Sequence, residues 1–324
     1  MDAPLLEVRN LRTHLFPRRG VVKAVDGVSF SLDRGEVLGL VGESGCGKSL
    51  TALSILRLLP EAGARIVDGE VRLDGEDLVA KSEREMRQIR GRRISMILQD
   101  PQTSLNPVFT IGNQLSEALG VQREAPRGRA LVERAIDVLR RVKLAAPEQR
   151  VRQFPHELSG GMKQRVVGGI AISCAPQVLI ADEPTTALDV TIQLQYLKLL
   201  KELQSATDMG LLFITHDFGV VAHMCDRVAV MYAGRIVETG PVREVFDSPQ
   251  HPYTQALIGS VPKMRQRIDR LRTIEGQPPL LSDLPVGCRF ENRCAYAETR
   301  CRESYPETVV KSAIHSASCW RLAP

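Results

Sequence analysis

Eight residues near the N terminus constrain the fold more than any other part of the sequence. The run GESGCGKS at positions 42–49 matches the pattern G-x-x-x-x-G-K-[ST]. It follows the apolar segment EVLGLV and precedes the helix-compatible segment LTALSILRLL. Glycines let successive backbone N–H groups of such a loop point at phosphate oxygens, and the following helix adds its positive end. The pattern therefore predicts a strand–loop–helix unit that binds the phosphates of a nucleotide.

Within this loop, Lys48 is expected to reach the β- and γ-phosphates, and Ser49 is expected to bind Mg²⁺. Cys46 occupies a free position of the pattern and is given no chemistry of its own. The residues expected to contact the nucleotide here are Gly42, Glu43, Ser44, Gly45, Cys46, Gly47, Lys48, Ser49 and Leu50.

A second acidic feature lies downstream, where the apolar run VLIADE ends in Asp182 and Glu183. In isolation such a pair is usually a surface cap. Downstream of a phosphate loop, it reads as the second half of a nucleotide site. Phosphoryl transfer needs positioning and charge neutralisation, so Asp182 is expected to hold the Mg²⁺ shell and Glu183 to orient the attacking water.

The wider pattern is typical of an α/β protein. Strand-like segments (LLEVRNLRTHL, VVKAVDGVSFSL, EVRLDGEDL) are followed by helical periodicity from about residue 100 to 175, as in RALVERAIDVLRRVKL. QVLIADE and GLLFITHD read as buried strands on either side of the amphipathic segment LQYLKLLKELQSA. Buried strands that alternate with helices predict a largely parallel core sheet, and the proline-rich sequence after about residue 240 predicts a more irregular extension.

Composition excludes several classes of protein. Of the 324 residues 43% are hydrophobic and 25% are charged, which argues against disorder. No apolar run approaches the roughly 18–20 residues of a membrane span, and the first residues lack the pattern of a secretory signal. We therefore expect a cytosolic chain, in which clustered cysteines bind metal more often than they form disulfides.

Further motifs resemble those of ABC-type ATPases over roughly residues 5–240. LSGGMKQR at 158–165 is similar to the family signature, TALD at 186–189 to its D-loop, Gln99 to its Q-loop glutamine and His216 to its switch histidine. The resemblance implies a P-loop ATPase core with a mixed sheet. It implies that Gln99 contacts ATP and Mg²⁺, that His216 contacts the γ-phosphate, and that Phe16 either stacks on adenine or merely packs.

In this family the signature faces the ATP held by a second ATPase subunit. The resemblance therefore implies a head-to-tail dimer that closes on two ATP molecules. Signature and D-loop residues expected to face the partner's ATP are Ser159, Gly160, Gly161, Gln164 and Asp189. Gly168 and Gly169 depart from expectation inside the helix after the signature, so either a neighbouring backbone packs closely there or the helix is soft.

The tail narrows the resemblance to ATP-binding subunits of dipeptide and oligopeptide importers. SPQHPYTQALIGSVP at 248–262 and QDPQTSLNP at 99–107 carry it. It implies a core at 1–240 with a helical subdomain at about 100–165, an importer-type extension at 241–324, and a groove near 99–115 for a permease helix. The implied partners are a second ATPase subunit, often a paralogue, two transmembrane permeases and an extracytoplasmic substrate-binding protein, at the cytoplasmic face of the membrane. Related members import nickel, glutathione or sugars.

Four cysteines fall in the extension: Cys288, Cys294, Cys301 and Cys319. Four thiolates are the ligand set of a [4Fe–4S] cluster, and some importer ATPases with a similar tail carry one. Zinc and packed reduced thiols are the alternatives, although the spacing lacks the C-x₂-C knuckles of structural zinc sites. Cys46, Cys174 and Cys225 read as small apolar fillers.

Two other functions compete with import. A soluble ABC ATPase that acts on nucleic acid or ribosomes is disfavoured, because the chain has one core, no long coiled-coil insertion and only 4% aromatic residues. We therefore expect no nucleic-acid partner. An inactive regulatory subunit is opposed by the intact Lys48, Asp182, Glu183 and His216. The basic run at 263–272 reads as a solvated helix face, or as a contact with anionic headgroups.

Overall fold

The structure is a computed structural model that describes residues 3–18, 20–60, 63–121, 127–186, 188–261, 273–312 and 314–322. The basic run at 263–272 therefore lies outside the described residues. Strands are β1 (Leu6–Leu15), β2 (Val22–Leu32), β3 (Val37–Val41), β4 (Ala64–Leu73), β5 (Glu76–Asp77), β6 (Ile94–Ile97), β7 (Val178–Asp182), β8 (Gly210–Thr215), β9 (Arg227–Tyr232), β10 (Arg235–Pro241), β11 (Thr308–Ser312) and β12 (His315–Ser318).

Helices alternate with the later strands, as the α/β prediction required. They are α1 (Lys48–Ile55), α2 (Glu83–Ile89), α3 (Pro101–Ser104), α4 (Ile111–Gly120), α5 (Arg129–Arg141), α6 (Pro147–Arg150), α7 (Gly160–Ile172), α8 (Val190–Thr207), α9 (Phe218–Met224), α10 (Val242–Asp247), α11 (Pro252–Ser260) and α12 (Thr299–Glu303), with 3₁₀ turns at Pro155–Glu157 and Glu291–Arg293. In the described part of the chain, no helix is both long and apolar enough to cross a bilayer.

The chain divides into two compact units. Unit 1 comprises Met1–Leu32, Val37–Val79 and Ile214–Pro324, and unit 2 comprises Asp33–Glu36 and Ala80–Phe213. Unit 1 holds an antiparallel sheet in the order β2-β1-β4-β5. The predicted turn between β4 and β5 is present, and Asp74 and Gly75 both have positive φ angles there.

The second set of strands in unit 1 runs in the order β11-β12-β10-β9-β3. β3 pairs parallel with β9, whereas β10 pairs antiparallel with β9 and β12 antiparallel with β10. The arrangement confirms the expected mixed sheet. It also places β12, from the last residues of the chain, as a neighbour of a strand that ends at Pro241.

Aromatic side chains from distant parts of the sequence form one core in unit 1. The ring of Tyr232 lies 4.5 Å from that of Tyr253 and 5.2 Å from that of Phe290, measured between centroids. All three residues are buried. Residues of the proline-rich tail therefore share a hydrophobic core with β9, although the sequence predicted an irregular extension.

Unit 2 combines β8-β7-β6 with helices, and its residues 100–165 contain helices but no strand in the described ranges. α5 buries Ala135, Val138 and Leu139 on the predicted face, and Leu131 is half-buried. α7 continues unbroken through Gly168 and Gly169. A Cβ atom on Gly168 would lie 2.7 Å from the hydroxyl oxygen of Tyr196, so close packing requires the glycine, although the neighbour is a side chain rather than a backbone.

Candidate functional site

The loop predicted to bind phosphate lies in unit 1 between β3 and α1. β3 is buried along its whole length and ends at Val41, so the loop begins at Gly42 from a strand held within the core. Gly47 has a φ angle of 110°, and a Cβ atom on it would lie 2.2 Å from the carbonyl oxygen of Ala24. A left-handed backbone in contact with another strand requires glycine.

Lys48 begins α1 and is buried, and its ammonium group closes the loop on itself. Nζ donates to the carbonyl oxygens of Gly42 at 2.8 Å and of Glu43 at 3.1 Å. Ser49 follows in the first helical turn and is exposed, as are Ser44 and Gly45, whereas Leu50 is half-buried. Loop carbonyls therefore hold the cation, and residues on both sides of it face solvent.

Cys46 lies inside the loop rather than on its surface. It is buried, and burial raises the pKa of its thiol. A protonated buried thiol is a small apolar group, which fits the role of filler given to it from the sequence.

Two more predicted residues lie in unit 1. His216 follows β8 and is exposed immediately before α9. Phe16 is half-buried at the end of β1, and the guanidinium carbon of Arg65 lies 4.2 Å from its ring centroid. A cation thus covers the Phe16 ring. Adenine stacking by Phe16 stays a prediction.

Unit 2 holds the predicted carboxylates. β7 is buried throughout and ends at Asp182, and Glu183 follows in a left-handed conformation with φ of 45°. The Glu183 carboxylate accepts hydrogen bonds from Gln99 Nε2 at 3.3 Å and from Thr186 Oγ1 at 3.0 Å. Two residues 84 positions apart, Gln99 and Glu183, are therefore in contact, and the side chain proposed to orient water is itself held in place.

Signature and D-loop residues meet around one open cleft of about 490 Å³ in unit 2. Ser159 caps α7 by accepting from the Met162 N–H, and Asp189 caps α8 by accepting from the N–H groups of Thr191 and Ile192. Two helix N-termini thus open onto the cleft, and such ends favour anions. The lining residues are Ser159, Gly160, Gly161, Met162, Arg165, Leu188, Asp189, Ile192 and Gln195. Gln164 was expected to face the partner's ATP, but it is buried and does not line the cleft.

The four cysteines of the extension line a single small pocket in unit 1, named here the thiol pocket (Cys288, Cys294, Cys301 and Cys319). The backbone N–H of Cys288 donates to the carbonyl of Cys301 at 2.7 Å, which holds the two segments together. All four are free thiols. Four cysteines from a 32-residue stretch therefore line the same pocket.

The thiols are not arranged as metal ligands in this structure. Among the described residues, no group of three or more His, Cys, Asp or Glu side chains has the spacing to hold a metal ion. Burial raises the pKa of Cys288 to about 11 and also raises the pKa values of Cys294 and Cys319. The donor set fits a cluster of soft metal ions, but binding would have to displace protons and draw the sulfurs together.

Two tail residues that the sequence analysis missed contact the phosphate loop. Arg293 forms a two-point ion pair with the Glu43 carboxylate, with distances of 2.7 and 3.0 Å. Tyr253 accepts a hydrogen bond from the Glu43 N–H at 2.9 Å. Sequence separations of 250 and 210 residues gave no local signal for these contacts. The one signal in the sequence was Glu43 itself, because a carboxylate inside a phosphate-binding loop needs a cation nearby to neutralise it.

Two family descriptions match the sequence. The ABC transporter family matches residues 25–186, and the C-terminal region of oligopeptide/dipeptide transporters matches residues 237–301. The first match includes the phosphate loop, Gln99, the signature and the carboxylate pair. The second includes the tail residues that contact the loop and three of the four thiol-pocket cysteines.

Curated proteins and solved structures agree with these matches. A probable peptide ABC transporter ATP-binding protein of Sinorhizobium fredii is 52% identical over 98% of this chain and 95% of its own length. The dipeptide transport ATP-binding protein DppD of Bacillus subtilis is 48% identical over 98% of this chain and 94% of its own. The ATP-binding cassette MJ0796, solved as a dimer bound to ADP and Pi, aligns with a TM-score of 0.66 and 26% identity over 74% of this chain and 99% of its own. The chain therefore belongs to the ABC transporter family, as one of its ATP-binding, ATP-hydrolysing subunits.

Proposed function

We propose that the chain hydrolyses ATP to power the uptake of dipeptides and oligopeptides through a membrane permease complex. The observation that carries the proposal is the match of residues 237–301 to the C-terminal region of oligopeptide/dipeptide transporters. Relatives named for peptide and dipeptide transport support it, because they are 48–52% identical over 98% of the chain. A tail shared with peptide transporters favours import over an action on nucleic acid or ribosomes.

The roles of the residues follow from their chemistry. Lys48 binds the β- and γ-phosphates, and His216 contacts the γ-phosphate. Glu183, held by Gln99 and Thr186, orients and polarises the attacking water. Ser49, Gln99 and Asp182 offer oxygen ligands of the kind Mg²⁺ prefers, and the ion would neutralise phosphate charge.

The open cleft around Ser159 and Asp189 supports a partner. Two helix N-termini open onto this cleft, and among the described residues that line it Asp189, which caps α8, is the one acidic side chain. Such a cleft suits the phosphates of ATP held by a second ATPase subunit. That subunit is proposed to be a paralogue. Two permeases and an extracytoplasmic binding protein complete the complex, which places this chain at the cytoplasmic face of the membrane.

Residues 99–115 are proposed to receive a short helix of a permease. Val108 and Phe109 are 70% and 49% exposed, which leaves apolar surface where a partner could cover it. The proposed boundary between the ATPase core (1–240) and the importer-type extension (241–324) lies at the end of β10, and the helical subdomain spans about 100–165.

The proposal is tested with this chain co-expressed with the permeases and the partner ATPase of the proposed complex. Glu183→Gln should retain ATP binding and lose at least about 100-fold in turnover, and Lys48→Ala should weaken binding itself. Glu202→Gln, an exposed carboxylate on α8, is the matched control and should behave as wild type. Near wild-type turnover by Glu183→Gln would remove that residue from the catalytic role.

Cargo is tested with proteoliposomes that contain the complex and its binding protein. ATP-dependent accumulation of labelled dipeptide, abolished by Glu183→Gln, is the expected result. Accumulation of nickel, glutathione or a sugar in place of peptide would correct the cargo. Co-purification with ribosomes and not with membranes would overturn the import function altogether.

We further propose that the thiol pocket holds a [4Fe–4S] cluster, with zinc as the alternative metal. The four thiols that line one pocket support it, and the cluster would tie together the segments of the tail that carry them. Protein purified without oxygen should be brown and contain iron and sulfide, which Cys294→Ser should lower and the control Cys174→Ser should leave unchanged. A colourless wild type with stoichiometric zinc and no iron would reject the cluster.

A further inference from the structure

The Arg293 side chain is enclosed by acceptors for all of its N–H groups. Its side chain is 2% exposed, and its guanidinium group makes five hydrogen bonds, which equals its number of N–H donors. Two go to the Glu43 carboxylate; the others go to the Tyr232 hydroxyl and the carbonyls of Ile274 and Glu275. Such a fork is geometrically specific, and a lysine could not reproduce it.

Glu43 is held on all of its polar groups. Arg293 binds its carboxylate, the Tyr253 hydroxyl accepts from its backbone N–H, and Lys48 donates to its carbonyl oxygen. The first residue after Gly42 therefore cannot move without breaking contacts to the tail. Because its N–H points at Tyr253, it is withheld from the phosphates, and the later amides of the loop remain to bind them.

Charge gives the arginine a second effect. A bare carboxylate within the phosphate loop would repel the polyphosphate of ATP, and Arg293 neutralises it. Tyr253 is 0% exposed and packs against Tyr232 and Phe290, so the hydroxyl that meets the loop is fixed by the aromatic core. Both contacts are built on buried groups of the tail.

We propose that Arg293 and Tyr253 are positioning residues for ATP binding, through which the C-terminal segment fixes the conformation and the charge of the phosphate loop at Glu43. The inference depends on the proposed role of residues 42–49 as the ATP site. It goes further, because it assigns to a segment that follows the ATPase core a contribution to the affinity for ATP. The alternative is that the contacts of Arg293 and Tyr253 only attach the C-terminal segment to the phosphate loop and do not affect ATP binding.

A double-mutant cycle separates the two explanations. The affinity of the full chain for Mg²⁺ with a non-hydrolysable ATP analogue is measured for wild type, Arg293→Met, Glu43→Gln and the double variant, at low and high salt. Arg293→Met should raise Kd about tenfold at low salt, because it leaves the Glu43 carboxylate unneutralised, and less at high salt, because salt screens the repulsion. In the Glu43→Gln background the same change should raise Kd less than about threefold.

Tyr253→Phe gives an independent reading, because it removes one oxygen and keeps the ring. It should raise Kd about threefold to fivefold, by the loss of one hydrogen bond to the loop. Tyr296→Phe removes the hydroxyl of a tyrosine that is 49% exposed elsewhere in the tail; it is the matched control and should leave Kd unchanged. Thermal unfolding of each variant reports any general loss of stability, and Tyr253→Phe decides the matter if Arg293→Met does not fold.

The measured affinities decide between a positioning role and simple attachment of the tail. Equal effects of Arg293→Met in both backgrounds, or wild-type affinity in folded Arg293→Met or Tyr253→Phe, would overturn the positioning role and leave mere attachment. Lys48→Ala distinguishes failure of the underlying site, since unchanged affinity in that variant would mean that the analogue does not bind at residues 42–49 at all.

Discussion

Asp26 on β2 lies among cations from three parts of unit 1, and its replacement by Asn should be among the more destabilising single changes in that unit. The Arg289 guanidinium contacts its carboxylate, and the Arg235, Arg12 and His14 nitrogens lie 3.4, 3.9 and 3.9 Å from it. Arg289 is 6% exposed and also donates to the carbonyl of Ala233. One carboxylate therefore balances several positive groups.

The two partners of this ion pair should not be equally costly to remove. Asp26→Asn leaves a buried Arg289 beside Arg235 without a counter-charge, and removing one partner of a buried pair costs about 3–5 kcal/mol. Arg289→Met leaves Asp26 still facing Arg235 and Arg12, so the loss should be nearer that of one charged hydrogen bond, about 1.5–3 kcal/mol. The difference between the two variants is the quantity to measure.

Urea unfolding provides the measurement, with fluorescence of Trp320, the one tryptophan in the sequence, as a probe in the C-terminal segment. Asp26→Asn should have a lower urea midpoint than Arg289→Met. The variant that carries both substitutions should be more stable than Asp26→Asn alone. If Arg289→Met lowers the free energy of unfolding as much as Asp26→Asn or more, the reasoning is refuted. That result would mean that Arg235 and Arg12 do not neutralise Asp26 when Arg289 is absent.

Acid should erase the contribution of this ion pair. Burial acts to raise the pKa of Asp26, but the Arg289 contact and the neighbouring arginines outweigh it and hold that pKa below its usual range. A carboxylate whose folded pKa is depressed stabilises the fold above the unfolded pKa of about 3.9, and this stabilisation fades as pH falls toward the folded pKa. The difference between wild type and Asp26→Asn should therefore be constant near neutral pH and shrink below about pH 4.

Three further changes are expected to alter stability by amounts that thermal or urea unfolding can resolve. Gly168→Ala should destabilise, because overpacking against buried Tyr196 costs about 1–3 kcal/mol and outweighs a helix-propensity gain of about 1 kcal/mol, whereas Gly259→Ala in α11, with no atom within 4 Å of the new Cβ, should stabilise. Glu238→Ala should cost more than about 3 kcal/mol, because it strips the acceptor from the N–H groups of Gln250 and His251 and from His315, and Glu238→Gln should cost less. Glu133→Ala should change stability by under about 1 kcal/mol, since its i,i+4 pair with Arg129 is exposed.

Features set by short stretches of sequence could be predicted. The phosphate loop requires a strand before it and a helix after it, and both are encoded within a few residues of Gly42 and Lys48. Ser159 caps its helix for the same local reason: its hydroxyl satisfies an N–H of the first turn. Buried strands such as β3 and β7 were recognisable because strands covered on both faces read as continuous apolar runs.

Contacts between distant parts of the chain could not be predicted. Arg289 and Arg293 stand in GCRFENRC, where nothing distinguishes a buried arginine from a solvated one. Their partners are 263 and 250 residues away. The glycines of α7 show the same limit: the sequence indicated an anomaly at Gly168, but only the position of Tyr196 on a different helix explains it.

The family matches and the contacts divide this chain at different places, and the difference bears on how the ATP site is built. Family resemblance separates a core from a tail that begins near residue 240. The buried arginines of that tail, however, neutralise Asp26 on β2 and Glu43 in the phosphate loop. A chain cut at residue 240 would keep both carboxylates and lose both guanidinium groups, which leaves a negative charge inside the loop meant for phosphate. The tail is thus better regarded as completing the charge of the nucleotide-binding unit than as an appendage to it, and a truncated core should bind ATP less tightly than the whole chain even where it folds.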